Sequence, residues 1–165
     1  MILETDRLRL RDLTVDDAEF ILGLVNDPSF LGNIGDKGVR TIEDARRFIE
    51  DGPWAQYRER GYAQFLVELK LDGEQIGVCG LLFRDALGVS DVGGAFLPRH
   101  WRQGYGFEAA TAVIEYGRST LGLESIVGLT SPGNVASIRL LEKLGLSFER
   151  IVTMSENDPG TALYS

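Results

Sequence analysis

Residues 97–111 read LPRHWRQGYGFEAAT, a passage from strand through a basic turn into helix. Strand-like residues lead through Pro98 into a basic, glycine-bearing turn. Gly104, Tyr105 and Gly106 then open an amphipathic helix with Phe107, Ala110, Val113, Ile114 and Gly117 along its apolar stripe. Glycine permits close backbone approach, and a helix start leaves its first N–H groups unpaired, so such a loop converges amides on an anion. Arg99, His100, Arg102 and Gln103 crowd the same side. The stretch reads as a phosphate cradle, although a lone G-x-G turn equally suits an ordinary loop before a core helix.

Upstream, Leu8 and Leu10 alternate with Arg7, Arg9 and Arg11 in the period of a half-buried strand. Thr14 with Asp17, and Thr41 with Asp44, have the spacing of capping boxes. They predict helices over residues 15–26, stopping before Pro28, and from residue 42 to the break at Gly52 and Pro53. Residues 29–40 carry three glycines without a period and read as a loop. Trp54 and Tyr57 fit a core better than a site wall. Phe65, Val67, Leu69 and Leu71 form one strand face, and Ile76, Val78 and Leu82 a second. Asp72-Gly73 between them predicts a two-residue type I′ hairpin. The strand before the cradle is nearly bare at Gly93, Gly94 and Ala95, as though something lies against its backbone.

Downstream come a helix over residues 105–120, a strand near residues 126–130, the turn SPGN, a helix over residues 135–144 ended by Gly145, and strands over residues 148–154 and 161–165 around ENDPG. The order β-α-α-β-β-β-α-β-α-β-β describes an α/β domain, a single unit spanning residues 1–165, with an antiparallel front half and a crossover helix at the cradle.

Composition bounds the function. Seventeen Lys and Arg against 25 Asp and Glu give a net charge of −8, which opposes nonspecific nucleic-acid binding and suits a cationic partner such as an amine. No apolar run approaches the roughly 20 residues of a membrane span, so a soluble, cytoplasmic protein without a membrane partner is expected. The single cysteine, Cys79, reads as core. The single histidine, His100, reads as a solvated loop residue, and no metal site is expected.

Several separate segments resemble the GNAT superfamily of acyl-CoA-dependent N-acetyltransferases over essentially the whole chain. HWRQGYGFEA is similar to the family's pyrophosphate loop, Q/R-x-x-G-x-G/A. Trp101, Gly104, Tyr105, Glu108 and Ala109 match the variant of the branch containing ribosomal-protein N-terminal acetyltransferases, and Arg102 stands where that branch commonly has glycine. TDRLRLRDLTVDDA, NDPSF, TIEDARRFI and EQIGVCGL resemble further segments of that branch. SPGNVASIRLLEKLGL resembles the N-x-x-S-x-x-x-x-E-K-L-G-F pattern through Asn134, Ser137, Glu142, Lys143, Leu144 and Gly145.

The resemblance implies acetyl-CoA as co-substrate. It would be held by backbone groups of Ala95, Phe96 and Leu97 and by Arg102, Gln103, Gly104, Tyr105, Gly106 and Phe107, with Asn134 reaching the pantetheine arm. Ser137 would lie at the thioester sulfur as a proton donor; it also reads as a plain first-turn serine, and Asn134 as an N-cap. Lys143 is a coenzyme contact or a surface cation. The acceptor is a primary amine, either a protein N-terminus or a small molecule, and it must lose a proton before attack because its pKa is about 8–10.4. Glu156 is the leading base, by analogy with some branch members, or a solvated turn residue; Glu68 and Asp91 are reserves. Loops 29–40, 53–61 and 85–90 would wall the acceptor pocket, and a homodimer is compatible with this reading. Two other readings remain. One is a coenzyme-binding sensor without turnover, prompted by Gly94 where the branch commonly has tyrosine. The other is a dinucleotide-binding oxidoreductase, prompted by the G-x-G-x-x-A match of GYGFEA, although that loop should follow the first strand of a βαβ unit.

Overall fold

Apolar alternation and capping build the elements in the expected sequence, with three additions. The computed structural model describes residues 2–165. The first half holds strands β1 (Ile2–Glu4) and β2 (Leu8–Asp12), helices α1 (Ala18–Val25), α2 (Pro28–Asn33), α3 (Ile42–Ile49) and α4 (Ala55–Arg60), and strands β3 (Gln64–Leu69), β4 (Gln75–Arg84) and β5 (Val89–Phe96). The second half holds α5 (Tyr105–Ser119), β6 (Ile126–Thr130), α6 (Val135–Lys143), β7 (Phe148–Val152) and β8 (Thr161–Tyr164). Both capping boxes are present, at Thr14 and Thr41.

β1, α2 and α4 go beyond the sequence reading. Pro28 starts a helix instead of following one, because proline is tolerated in a first turn and the Asp27 carboxylate accepts the Ser29 N–H at 2.9 Å. Gly52 and Pro53 do not end α3 either. A π turn over Glu50–Trp54 absorbs the proline, with the Ala55 N–H reaching back to the Glu50 carbonyl, and the chain stays helical through α4. Trp54 is half-buried and its indole N–H donates to the Leu13 carbonyl at 2.6 Å, but Tyr57 is exposed and not core.

β3 and β4 are antiparallel neighbours, yet not through a two-residue turn. The Leu69 carbonyl accepts the Gly73 N–H at 2.8 Å and the Leu69 N–H donates to Glu74 at 2.9 Å, so the turn begins two residues earlier. The Asp72 carboxylate takes the Glu74 N–H at 3.0 Å, a local bond that competes with strand pairing. Leu71, expected on the strand face, is 94% exposed at the turn.

The sheet runs β1-β2-β3-β4-β5-β6-β8-β7, antiparallel except for the parallel pair β5 and β6 that α5 joins. α5 covers one face through a cluster including Leu10, Val67, Cys79, Leu81 and Val113. α1 to α3 cover the other, through Ile21, Leu24, Ala45, Ile49 and Leu66. Cys79 is sealed in the first core, and burial pushes its thiol up to about 12. Among the described residues no helix is long and apolar enough to cross a membrane.

The parting of β5 and β6 positions the candidate site. β5 and β6 pair only at Ser90↔Ile126 and Asp91↔Val127. β5 then continues beside β4 to Phe96, while β6 turns to β8 through Gly128↔Tyr164 and Thr130↔Ala162. A V-shaped gap opens between them. β5 presses closely on β4 here, since a Cβ at Gly94 would stand 2.6 Å from the Val78 carbonyl oxygen. Gly94→Ala is therefore expected to lower unfolding stability by about 1–3 kcal/mol, the cost of overpacking against backbone that cannot yield, read from a urea melt.

Candidate active site

The backbone along the gap is unevenly committed. The Leu97 N–H donates to the Ile76 carbonyl at 3.0 Å and the Leu97 carbonyl accepts the His100 N–H at 2.9 Å. Antiparallel ladders alternate, so Gly93 and Ala95 likewise turn their main-chain groups toward β4, leaving Gly94 and the Phe96 N–H facing the gap. The Phe96 carbonyl is capped by the Trp101 indole N–H at 2.8 Å. This corrects the expectation for Leu97 and Ala95: they offer no backbone group to a ligand, and the exposed Gly94 does.

The loop after β5 presents its amides outward. Among the described residues, none of the N–H groups of Arg102, Gln103, Gly104, Tyr105, Gly106 and Phe107 has a protein acceptor, and the first one used is that of Glu108, donated to Gly104 at 3.0 Å. Gly104 caps α5 at φ 82°, and Arg102 holds φ 61°, the left-handed region that favours glycine. Arg102 thus keeps the turn that glycine would make, at a steric cost.

What holds the loop is remote in sequence. The Glu108 carboxylate accepts from the Thr5 hydroxyl at 2.6 Å, the Arg7 N–H at 2.9 Å and Arg7 Nε at 2.7 Å. Arg7 also donates through Nη1 to the Gln103 carbonyl at 2.9 Å, and its guanidinium lies 4.4 Å from the Tyr105 ring centroid. Burial alone would raise the Glu108 pKa, but Thr5 and Arg7 together hold it below the ordinary carboxylate value. On the far side, Glu74 pairs with Arg99 at 3.0 Å and with His100 Nε2 at 3.2 Å, so His100 is a packed bracing residue and not a solvated one. Neither Arg7 nor Glu74 was a site candidate by sequence. Arg7 lies within the segment TDRLRLRDLTVDDA, but nothing in the spacing pairs it with Glu108.

α6 begins just beyond β6, which runs parallel to β5, so Asn134 and Ser137 stand at the same open end of the V as the start of α5. Asn134 Oδ1 accepts the Ser137 N–H at 3.2 Å, the N-cap of α6. Ser137 is half-buried, and its hydroxyl has no partner among the described residues. Lys143 places its ammonium 4.2 Å from the Phe107 ring centroid, bringing the far end of α6 to the first turn of α5.

On the opposite face of the sheet, a cleft of about 580 Å³ reaches the gap. Its floor includes Val78, Gly93, Gly94 and Ala95, with Leu129 from β6, and its walls come from α1 to α4. Phe30 and Lys37, Pro53 and Arg60, and Asp85 enter it from the three stretches read as loops. Glu156 does not line it; it is exposed in the β7–β8 turn, whose shape Asp158 sets through the Met154 and Gly160 N–H groups at 2.8 Å each. Glu68 is also outside the lining and pairs with Arg11 at 3.2 Å. Asp91 does line the cleft. It is 2% exposed, bonded to Arg84 Nε, and burial outweighs Arg84 to raise its pKa above the ordinary value.

Residues 7–147 match the family model described as acetyltransferase (GNAT) domain, and the chain belongs to that family as an N-acetyltransferase. It is 34% identical over 155 residues to the Bacillus subtilis (strain 168) protein YkkB, covering 91% of this chain and 87% of that one. It is 33% identical over 161 residues to the N-acetyltransferase YoaA of the same strain, covering 97% and 90%. In fold it is similar to RimL, a ribosomal L7/L12 alpha-N-protein acetyltransferase in complex with coenzyme A, with TM-score 0.84, 16% identity, and coverage of 99% and 96%. The dinucleotide reading fails, because the G-x-G-x-x-A loop follows the fifth strand of this sheet and not the first.

Two outcomes follow from the loop. Because the folded pKa of Glu108 is depressed, its stabilisation is present above its unfolded value near 4.3 and is lost as pH falls through the folded value. Glu108→Gln should therefore cost about 1–2 kcal/mol at pH 7 and flatten the acid limb of a stability-versus-pH curve. Arg102→Gly should gain about 0.5–1 kcal/mol: the left-handed conformation costs a non-glycine residue about 1–2 kcal/mol, and glycine's chain entropy returns about half of that. Thermal melts of both variants provide the check.

Proposed function

We propose that this N-acetyltransferase moves the acetyl group of acetyl-CoA to a primary amine, a protein N-terminus or a small molecule, by direct attack in a ternary complex. The observation that carries this reading is the run of six unbonded amides from Arg102 to Phe107 at the mouth of the gap. They suit a pyrophosphate, with the α5 dipole and the Arg102 cation adding to the attraction. The pantetheine arm then lies in the gap against Gly94 and the Phe96 N–H, beside Asn134, and Lys143 with Phe107 receives the nucleotide end.

The thioester would rest where β5 and β6 part, with the amine entering from the cleft on the other face. Its nitrogen, once neutral, attacks the acyl carbon and forms the C–N bond. The carbonyl electron pair moves onto oxygen, where the Gly94 N–H can stabilise it. Collapse breaks the C–S bond, the nitrogen gives its extra proton to water in the cleft, and the thiolate takes a proton from Ser137 Oγ, which is replenished from solvent. This reading assigns no step to Glu156, which is exposed in the β7–β8 turn away from the cleft lining. Gly94 gives the sensor reading no support, because packing against Val78 already demands glycine there.

Calorimetry with acetyl-CoA, together with thiol release in the presence of amines, tests the reading. Binding and amine-dependent release are expected, and Ser137→Ala should lower kcat by roughly 10²-fold, the scale of a lost general acid, with the acetyl-CoA Kd kept within about threefold. A chain that binds no acetyl-CoA, or a Ser137→Ala variant at full kcat, would contradict it.

A further inference from the structure

Resting on the acetyl-transfer reading, we propose that the acceptor is a primary monoamine carried on an apolar body, with its ammonium held by Asp91 Oδ1 at the apex of the gap. Asp91 is the last residue of β5 paired with β6, so it stands where the strands part. Its side chain shares a face with those of Ala95 and Leu97, four and six residues along the chain, which pack with the α1–α3 core and so mark the cleft side.

The carboxylate is almost wholly enclosed, with 3% of the side chain exposed, and only half of it is engaged. Arg84 Nε takes Oδ2, and Oδ1 has no partner among the described residues. Every side-chain polar atom fully sealed from solvent does have a partner among those residues, so Oδ1 opens to the cleft. Gly93 keeps it uncovered, because a Cβ there would stand 3.2 Å from Oδ1. An enclosed carboxylate oxygen without a donor is under-satisfied, and an ammonium supplies a charge-assisted N–H at that spot.

Leu24, Val25, Phe30, Phe48 and Val78 give the cleft an apolar side, and Gln56 and Gln64 add uncharged polar groups to its lining. The remaining carboxylates of the lining, Asp51, Glu59 and Asp85, are exposed; Asp85 is 93% and Glu59 71% open to water, each 3.6 Å from Arg60. A polyamine would have to carry its further ammonium groups past leucine and phenylalanine to reach those solvated carboxylates, where an exposed pairing returns little. An alkyl or aryl body loses only water there.

The test compares phenethylamine, ethanolamine and spermidine as acceptors for wild-type protein, with acetyl-CoA affinity measured in parallel. Phenethylamine is expected to have a kcat/KM at least tenfold above both others. Asp91→Asn should lower the phenethylamine value at least tenfold, through KM, with the acetyl-CoA Kd within threefold. Phe48→Ala should narrow the phenethylamine-to-ethanolamine ratio at least threefold, a readout that stands if the Asp91 variant does not fold. Spermidine or ethanolamine matching phenethylamine overturns the inference and leaves acetyl transfer intact, as does an Asp91→Asn variant with unchanged amine KM. Acetyl-CoA binding without transfer to any amine overturns it too. No acetyl-CoA binding at all overturns both readings.

Discussion

β5 and β6 stay together for two residue pairs and then part, because β6 is claimed by the antiparallel strand β8 while β5 remains on β4. Main-chain groups at Gly94 and Phe96 are left without a strand partner inside the fold, a condition that backbone polar groups tolerate only where water or a ligand can satisfy them. Both halves of the candidate site are consequences. The helices that follow the two parallel strands bring their starts to the open end of the V, and the apex connects that end to the cleft on the opposite face.

The loop at the mouth is shaped against its own preference. Arg102 occupies a left-handed conformation, and six consecutive amides go without protein partners. Such an arrangement persists only if its surroundings over-determine it. Here Arg7 and Thr5 hold Glu108 in the first turn of α5, Glu74 holds Arg99 and His100, and the Trp101 indole ties the loop back to Phe96. Three different strands and turns converge on one short segment, so its amides are fixed in direction before any ligand arrives, which is where preorganisation lowers the cost of binding.

The cleft owes its form to two departures from simple secondary structure. Pro28 opens α2 and the π turn carries the chain through Pro53, so Phe30, Phe48 and Pro53, all on this helical layer, line the cleft while Phe30 and Phe48 also pack with Leu66 and Val78 of the sheet. Among the described residues Asp91 is the enclosed carboxylate of that lining, and Arg84 fixes its orientation.

The sequence by itself determined the class of the fold, the cradle and its helix, the two capping boxes and the N-cap at Asn134, because those are read from neighbours within a few residues, where periodicity and turn chemistry act. It misjudged the Asp72-Gly73 turn, the helices at Pro28 and Pro53, and the setting of His100 and Leu97, while Glu156 takes the solvated-turn place that was one of its two readings. At the turn and at the two prolines one local preference lost to another, through Asp72, Asp27 and the Glu50 carbonyl, whereas His100 and Leu97 are set by Glu74 and Ile76, partners that sequence distance conceals. Only the tertiary structure decided that Arg7 braces Glu108, 101 residues away, and that β8 lies between β6 and β7 and draws β6 from β5. It also decided that Asp91, a reserve among the acids, is the one the cleft encloses. Those are matters of which segments meet, and chain segments meet through packing and hydrogen bonding summed over the whole sheet, which no local pattern encodes.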